Sequence, residues 1–126
     1  MQGLHLIADL RGCRCEPRWL TDAPTLTEFC VDAVRRAGLS PVGRLSHSFS
    51  GSGAAPGGVT VTVLLAESHV CVHSWPELSA VTLDVYVCNF QSDHSASASA
   101  LFETLLRLFD AARIERHVVK RGSIAA

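Results

Sequence analysis

The sequence predicts an α+β fold, a two-layer sandwich with two helices on one face of an antiparallel sheet, in the order βαββ followed by ββαβ. Two observations predict it. Six segments carry strand signals, either period-two alternation or β-branched runs, and two others place apolar residues at helical spacing on one side only. Two such helices bury their stripes by covering the same sheet face. The opposite face must then be polar, functional or paired with another subunit.

Each element follows in order. GLHLIADL alternates Leu4, Leu6, Ala8 and Leu10, as a half-buried strand does. Thr25-Leu26-Thr27-Glu28 has capping-box spacing and opens a helix carrying Leu26, Phe29, Cys30, Ala33, Val34 and Ala37 on one face. Gly38 stops that helix and Pro41 lies beyond it. GRLSHSF reads as the second strand, SGSGAAPGG (50–58) as a mobile loop, and VTVTVLLA as a third strand. HVCVHSW, ended by Pro76, and AVTLDVYVCNF are the fourth and fifth strands. Helical spacing returns over 94–112 with Leu101, Phe102, Leu105, Leu108, Phe109 and Ala112, and RIERHVVKR is the last strand.

Length and composition narrow the function. One domain over residues 1–126 is expected, with a modest core and a site more easily shared between subunits than enclosed in one. A net charge of -1 and scattered basic residues exclude a nucleic-acid stripe. No apolar run reaches the ~20 residues of a membrane span. The N-terminus reads as a strand, not a signal peptide. Five cysteines without framework spacing point to reduced thiols in the cytoplasm.

Several patterns invite chemistry that their context does not support. The Gly51-x-Gly53-x-x-Pro56 loop has Pro where a dinucleotide fingerprint has Gly, and a strand follows it instead of a helix. His69 and His73 share a strand face as metal ligands might, with Cys71 between them. No paired-cysteine or helical-histidine motif backs a site, and no metal is expected. Cys30 reads as core, and His5, His47, His94 and His117 as structural or surface histidines. Ser68 sits between Glu67 and His69 where strand meets strand, a poor match for a serine-hydrolase elbow.

Taken jointly, Glu67-Ser68-His69, then His73-Ser74-Trp75-Pro76-Glu77, then Asp84 through Cys88 resemble the prokaryotic S-adenosylmethionine decarboxylases. The resemblance runs from HLIADL to the Cys-bearing strand. It implies a two-layer sandwich, a proenzyme that cuts itself between Glu67 and Ser68, and a homodimer of cleaved chain pairs. It assigns Ser68 as the precursor of a pyruvoyl group that binds the substrate amine as a Schiff base. His73 becomes the processing base, Thr60 a processing hydroxyl where the family carries serine, and Cys88 the proton donor. Phe49 and Trp75 would sandwich the adenine, and Glu77 would hold the ribose hydroxyls. The implied reaction turns a small molecule, S-adenosylmethionine, into the aminopropyl donor for spermidine.

One departure bears on substrate. Directly after Phe49 the family often has a Pro-Tyr-Gly segment, and here a longer loop without an aromatic replaces it. A decarboxylase of L-ornithine or L-arginine from the same family is therefore the alternative. A non-enzymatic binding module that retains the fold is a second.

Overall fold

A computed structural model describes residues 2–122. The elements are β1 (Gly3–Cys13), α1 (Arg18–Thr21), α2 (Ala23–Arg36), β2 (Pro41–Ser48), β3 (Val59–Leu65), β4 (Ser68–Trp75), a 3-10 turn (Pro76–Leu78), β5 (Ala80–Cys88), α3 (Ser95–Phe109) and β6 (Ala111–Arg121). The six strands form one sheet in the order β2-β3-β4-β5-β1-β6, with every neighbouring pair antiparallel. With α1 and α2 taken as one helical connection, this is the expected βαββ–ββαβ order.

Strict alternation builds the core. Leu6, Ala8 and Leu10 of β1, Val61 and Val63 of β3, Val70 and Val72 of β4, and Leu83, Val85 and Val87 of β5 all point to one side and are buried. On them lie Leu26, Cys30 and Val34 of α2 and Leu101, Leu105 and Phe109 of α3, all fully buried. Each large side chain so removed from water contributes about 1.5–3 kcal/mol. The other sheet face carries threonines, histidines, cysteines and Asp84. No helix among the described residues is long and apolar enough to cross a membrane.

Helix boundaries depart from expectation in three places. Asp22, not Thr25, caps α2: its Oδ1 accepts from the Thr25 amide at 3.3 Å. Pro24 fits a first helical turn, having no N–H to lose, and a carboxylate suits the positive helix end. The helix therefore starts upstream of the threonine. Its other end is as expected, since Gly38 at φ 87 lets the Leu39 amide bond Val34 O and the Gly38 amide bond Arg35 O. Second, the short helix α1 was not anticipated; Trp19 packs edge-on against Phe29, 5.3 Å between ring centres. Third, α3 ends at Phe109 because Asp110 takes a left-handed turn (φ 45) straight into β6, which moves Ala112 into a strand.

Candidate active site

Strand β4 has two differently built ends. At its start, Ala66 and Glu67 form a two-residue turn that joins β3 to β4, with Leu65 opposite Ser68. Glu67 has φ 55, a left-handed conformation that glycine adopts freely and a Cβ-bearing residue adopts at a cost. Ser68 follows immediately, and its Oγ accepts from the Cys88 amide at 3.0 Å. Cys88 closes β5, half-buried, in a cavity of about 380 Å³ lined by Glu67, Tyr86, Cys88 and Phe90. Glu67, Ser68 and Cys88 are thus brought together.

The far end of β4 holds the other sequence-identified residues. His73 Nδ1 lies 2.8 Å from Thr60 Oγ1 and His73 Nε2 lies 3.3 Å from Cys71 Sγ. Trp75 and Glu77 continue into the 3-10 turn, and Phe49 follows β2. A cavity of about 730 Å³ is lined by Phe49, Thr60, His73, Trp75 and Glu77 together with the 50–58 loop. That loop has a fixed base: the Phe49 amide donates to Gly58 O at 2.9 Å, and a Cβ on Gly58 would fall 2.1 Å from Ser74 O. The expected irregular loop is therefore a wall of the cavity.

Ser74 supports this end from below. Buried, it donates to Leu20 O at 2.7 Å and accepts from the Val59 amide at 2.9 Å, tying β4 to α1 and to the start of β3. His73 and Trp75, its neighbours, are thereby directed to the outer face.

Within one chain the two groups do not meet. Ser68 and His73 are five residues apart along an extended strand, about 16 Å.

A third cluster was missed from sequence. Asp84 Oδ2 lies 3.0 Å from His5 Nε2 and 3.1 Å from His69 Nε2. The signal was the outward parity of Asp84 on β5, but pairing across β1, β4 and β5 is not visible in any one segment. His69 and His73 share a face as expected, yet His69 turns to Asp84 while His73 turns to Thr60. The ligand atoms of His5, His69 and Asp84 all lie within 4.8 Å of one another. Arg121 Nη1, however, is 3.1 Å from His5 Nδ1. A guanidinium only donates, so Nδ1 accepts and the His5 proton occupies the Nε2 that a metal would need. The geometry is that of a hydrogen-bonded network.

The remaining thiols are quiet. Burial, then Cys15 and Asp110, push the Cys13 thiol up to about 11, and burial with Cys71 pushes Cys30 up to about 12. Burial also raises Cys15. All three stay protonated near neutrality, which makes them poor nucleophiles.

Comparison with known proteins identifies the family and the fold. Residues 4–122 match the family described as S-adenosylmethionine decarboxylase. The S-adenosylmethionine decarboxylase proenzyme of Methanococcus maripaludis is 34% identical over 122 residues, covering 97% of this chain and 91% of that protein. The proenzyme of the same name from Persephonella marina is 32% identical over 97% of this chain and 84% of its own. The crystal structure of the adenosylmethionine decarboxylase from Aquifex aeolicus superposes with a TM-score of 0.82 at 29% identity, covering 98% of this chain and 92% of that one. With its fold and a match along nearly its whole length, the chain belongs to the S-adenosylmethionine decarboxylase family.

Proposed function

We propose that the chain is a proenzyme that cuts itself between Glu67 and Ser68 and then decarboxylates S-adenosylmethionine to the aminopropyl donor for spermidine. The observation that carries this reading is the left-handed Glu67 directly before a serine whose oxygen is already held by a backbone amide. Strain of this kind costs about 1–3 kcal/mol and persists where the surroundings enforce it. Breaking the 67–68 peptide releases it.

The protein's own side chains and water supply the processing steps. Ser68 Oγ attacks the Glu67 carbonyl carbon, the C–N bond breaks, and the amide becomes an ester with the new amine on residue 68. A base then takes the Cα proton of residue 68, and the Glu67 carboxylate leaves from Cβ. Water replaces the nitrogen, which departs as ammonia, and residue 68 is left as a pyruvoyl group. That ketone supplies the electrophile for a substrate amine and the electron sink for decarboxylation. Cys88, whose amide already holds the Ser68 oxygen, returns the proton to the substrate carbon.

His73 is the processing base, with Thr60 on its Nδ1 at 2.8 Å. Because it stands about 16 Å along the strand from Ser68 of its own chain, it serves Ser68 of a second copy. The protein is accordingly a homodimer whose sites combine Ser68 and Cys88 of one protomer with Thr60, His73, Phe49, Trp75 and Glu77 of its partner. The outer sheet face, with exposed Leu45 and Leu64 beside the polar row, is the surface that meets. The cavity at the Trp75 end has the volume of a small-molecule site. Two aromatic faces suit adenine and the sulfonium cation, and the Glu77 carboxylate suits a ribose diol. Free thiols throughout suit a reducing cytoplasm.

Two measurements test the reading. Intact mass and denaturing electrophoresis must show fragments ending at 67 and beginning at a modified 68; a persistent single chain leaves only a binding module. Incubation with carboxyl-labelled S-adenosylmethionine, L-ornithine and L-arginine must release carbon dioxide from the first, and release from an amino acid alone transfers the substrate to the alternative. Co-expressing Ser68→Ala with His73→Ala chains tests the shared site: random pairing restores about a quarter of wild-type sites. No recovery means that each chain is self-sufficient.

A further inference from the structure

The His5–Asp84–His69 network has no part in the chemistry above, yet one of its arms is the residue next to the reacting position. We propose that Asp84 is a positioning residue: by holding His69 and His5 on one carboxylate oxygen, it fixes the chain end at residue 68 beside Cys88 once the 67–68 bond is cut. The inference rests on the self-cleaving reading.

Register explains the geometry. His5 on β1 and His69 on β4 both pair with Tyr86 on β5, so the three lie in one row across the sheet. Asp84 lies two residues along β5 from that row, on the same outer face, and reaches diagonally to both imidazoles at 3.0 and 3.1 Å. Tyr86 fills the row between them, its ring centre 5.7 Å from each histidine ring, with the Arg121 guanidinium above it at 5.7 Å. The Arg121 donor on His5 Nδ1 sets the His5 proton toward Asp84. A carboxylate oxygen only accepts, so His69 Nε2 also donates. Three strands are thus cross-linked around one oxygen by side chains whose proton positions agree.

Cleavage makes that cross-link necessary. In the uncut chain residue 68 is held from both sides: by the Ala66–Glu67 turn and by the Cys88 amide on its hydroxyl. Cutting removes the turn, and conversion to a ketone removes the hydroxyl. Residue 68 becomes a strand terminus, the kind of position that frays. The first residue still anchored by its side chain is His69, on Asp84. A displacement of about 1 Å at a reacting centre is enough to lower a rate about a hundredfold.

The test uses the full chain with Asp84→Asn, and His69→Gln beside His69→Ala, since a glutamine amide keeps a donor where Nε2 stood. Amide exchange over residues 69–72 is read in processed protein and in an uncleaved Ser68→Ala background. Asp84→Asn and His69→Ala are expected to speed exchange about tenfold in processed protein and hardly at all in the uncleaved background. With S-adenosylmethionine, kcat should fall about tenfold or more with KM within threefold, and His69→Gln should keep most of the rate. Equal exchange changes in both backgrounds mean a merely structural role and overturn the proposal, as does unchanged kcat in processed Asp84→Asn. If Asp84→Asn fails to fold or process, the His69 pair decides alone, and equal rates for Gln and Ala overturn it. Wild-type protein that never processes defeats the self-cleaving reading, and this inference falls with it.

Discussion

The two ends of β4 are made of the same strand and do opposite things. At the Ser68 end the backbone is the active feature: a two-residue turn forces Glu67 to φ 55, and a main-chain amide holds the Ser68 oxygen. At the Trp75 end the backbone runs into a 3-10 turn whose own left-handed residue, Ser79 (φ 48), lies beyond the site, and side chains line a cavity of about 730 Å³. On the proposed reading, one end is a bond to be broken and the other a seat for a ligand. Their separation along one strand is what leads that reading to a second copy of the chain.

Removing the group that acts only at the first end should have the largest effect. Ser68→Ala is expected to abolish cleavage completely, leaving intact chain by mass spectrometry and no decarboxylation, while its fold and the Trp75 cavity persist. Any fragment beginning at position 68 in this variant breaks the assignment. Cys88→Ala separates the two stages at that same end. Its amide still holds the Ser68 oxygen, so processing should go to completion. Losing the proposed proton donor should lower kcat about a hundredfold or more. An uncleaved Cys88→Ala would mean that the thiol, and not only its backbone, serves processing.

At the far end the expected loss is in binding. Trp75→Ala should process fully and raise KM for S-adenosylmethionine by about 5- to 150-fold, the value of one base-aromatic stack at about 1–3 kcal/mol. A fall in kcat with KM unchanged would place Trp75 in the chemistry and erase the distinction between the ends.

Sequence made the chemistry legible and left the geometry hidden. Val59 to Leu65 and the outward row of β4 were readable because strand parity is local: His69, Cys71, His73 and Trp75 could only share a face. Ser68, His73 and Cys88 were readable as a motif, and their spacing along the chain says nothing of which atoms meet. Asp84 shows why. Its partners His5 and His69 lie 79 and 15 residues away, on two neighbouring strands, and become partners only through register. The strain at Glu67 was hidden for another reason: glycine would have signalled a left-handed turn, and glutamate does not. Asp22 displaced the Thr25 cap because Pro24 suits the first helical turn, a competition that a four-residue motif does not see.

The smallest predicted effect is the most direct probe of that strain. In the uncleaved Ser68→Ala background, Glu67→Gly relieves a left-handed residue that costs about 1–2 kcal/mol. Glycine's looser unfolded chain takes back about 0.5–1 kcal/mol. Chemical denaturation should therefore show a gain of a few tenths to about 1 kcal/mol. With Ser68 restored, the same substitution should slow cleavage about fivefold if about 1 kcal/mol of the strain is released in the rate-limiting step. Glu67→Asn, which tolerates the left-handed region while keeping a side chain, should fall between. Stability raised with cleavage unslowed would mean that the turn shapes the hairpin without driving the cut, and the Ser68 end would then differ from the Trp75 end in position alone.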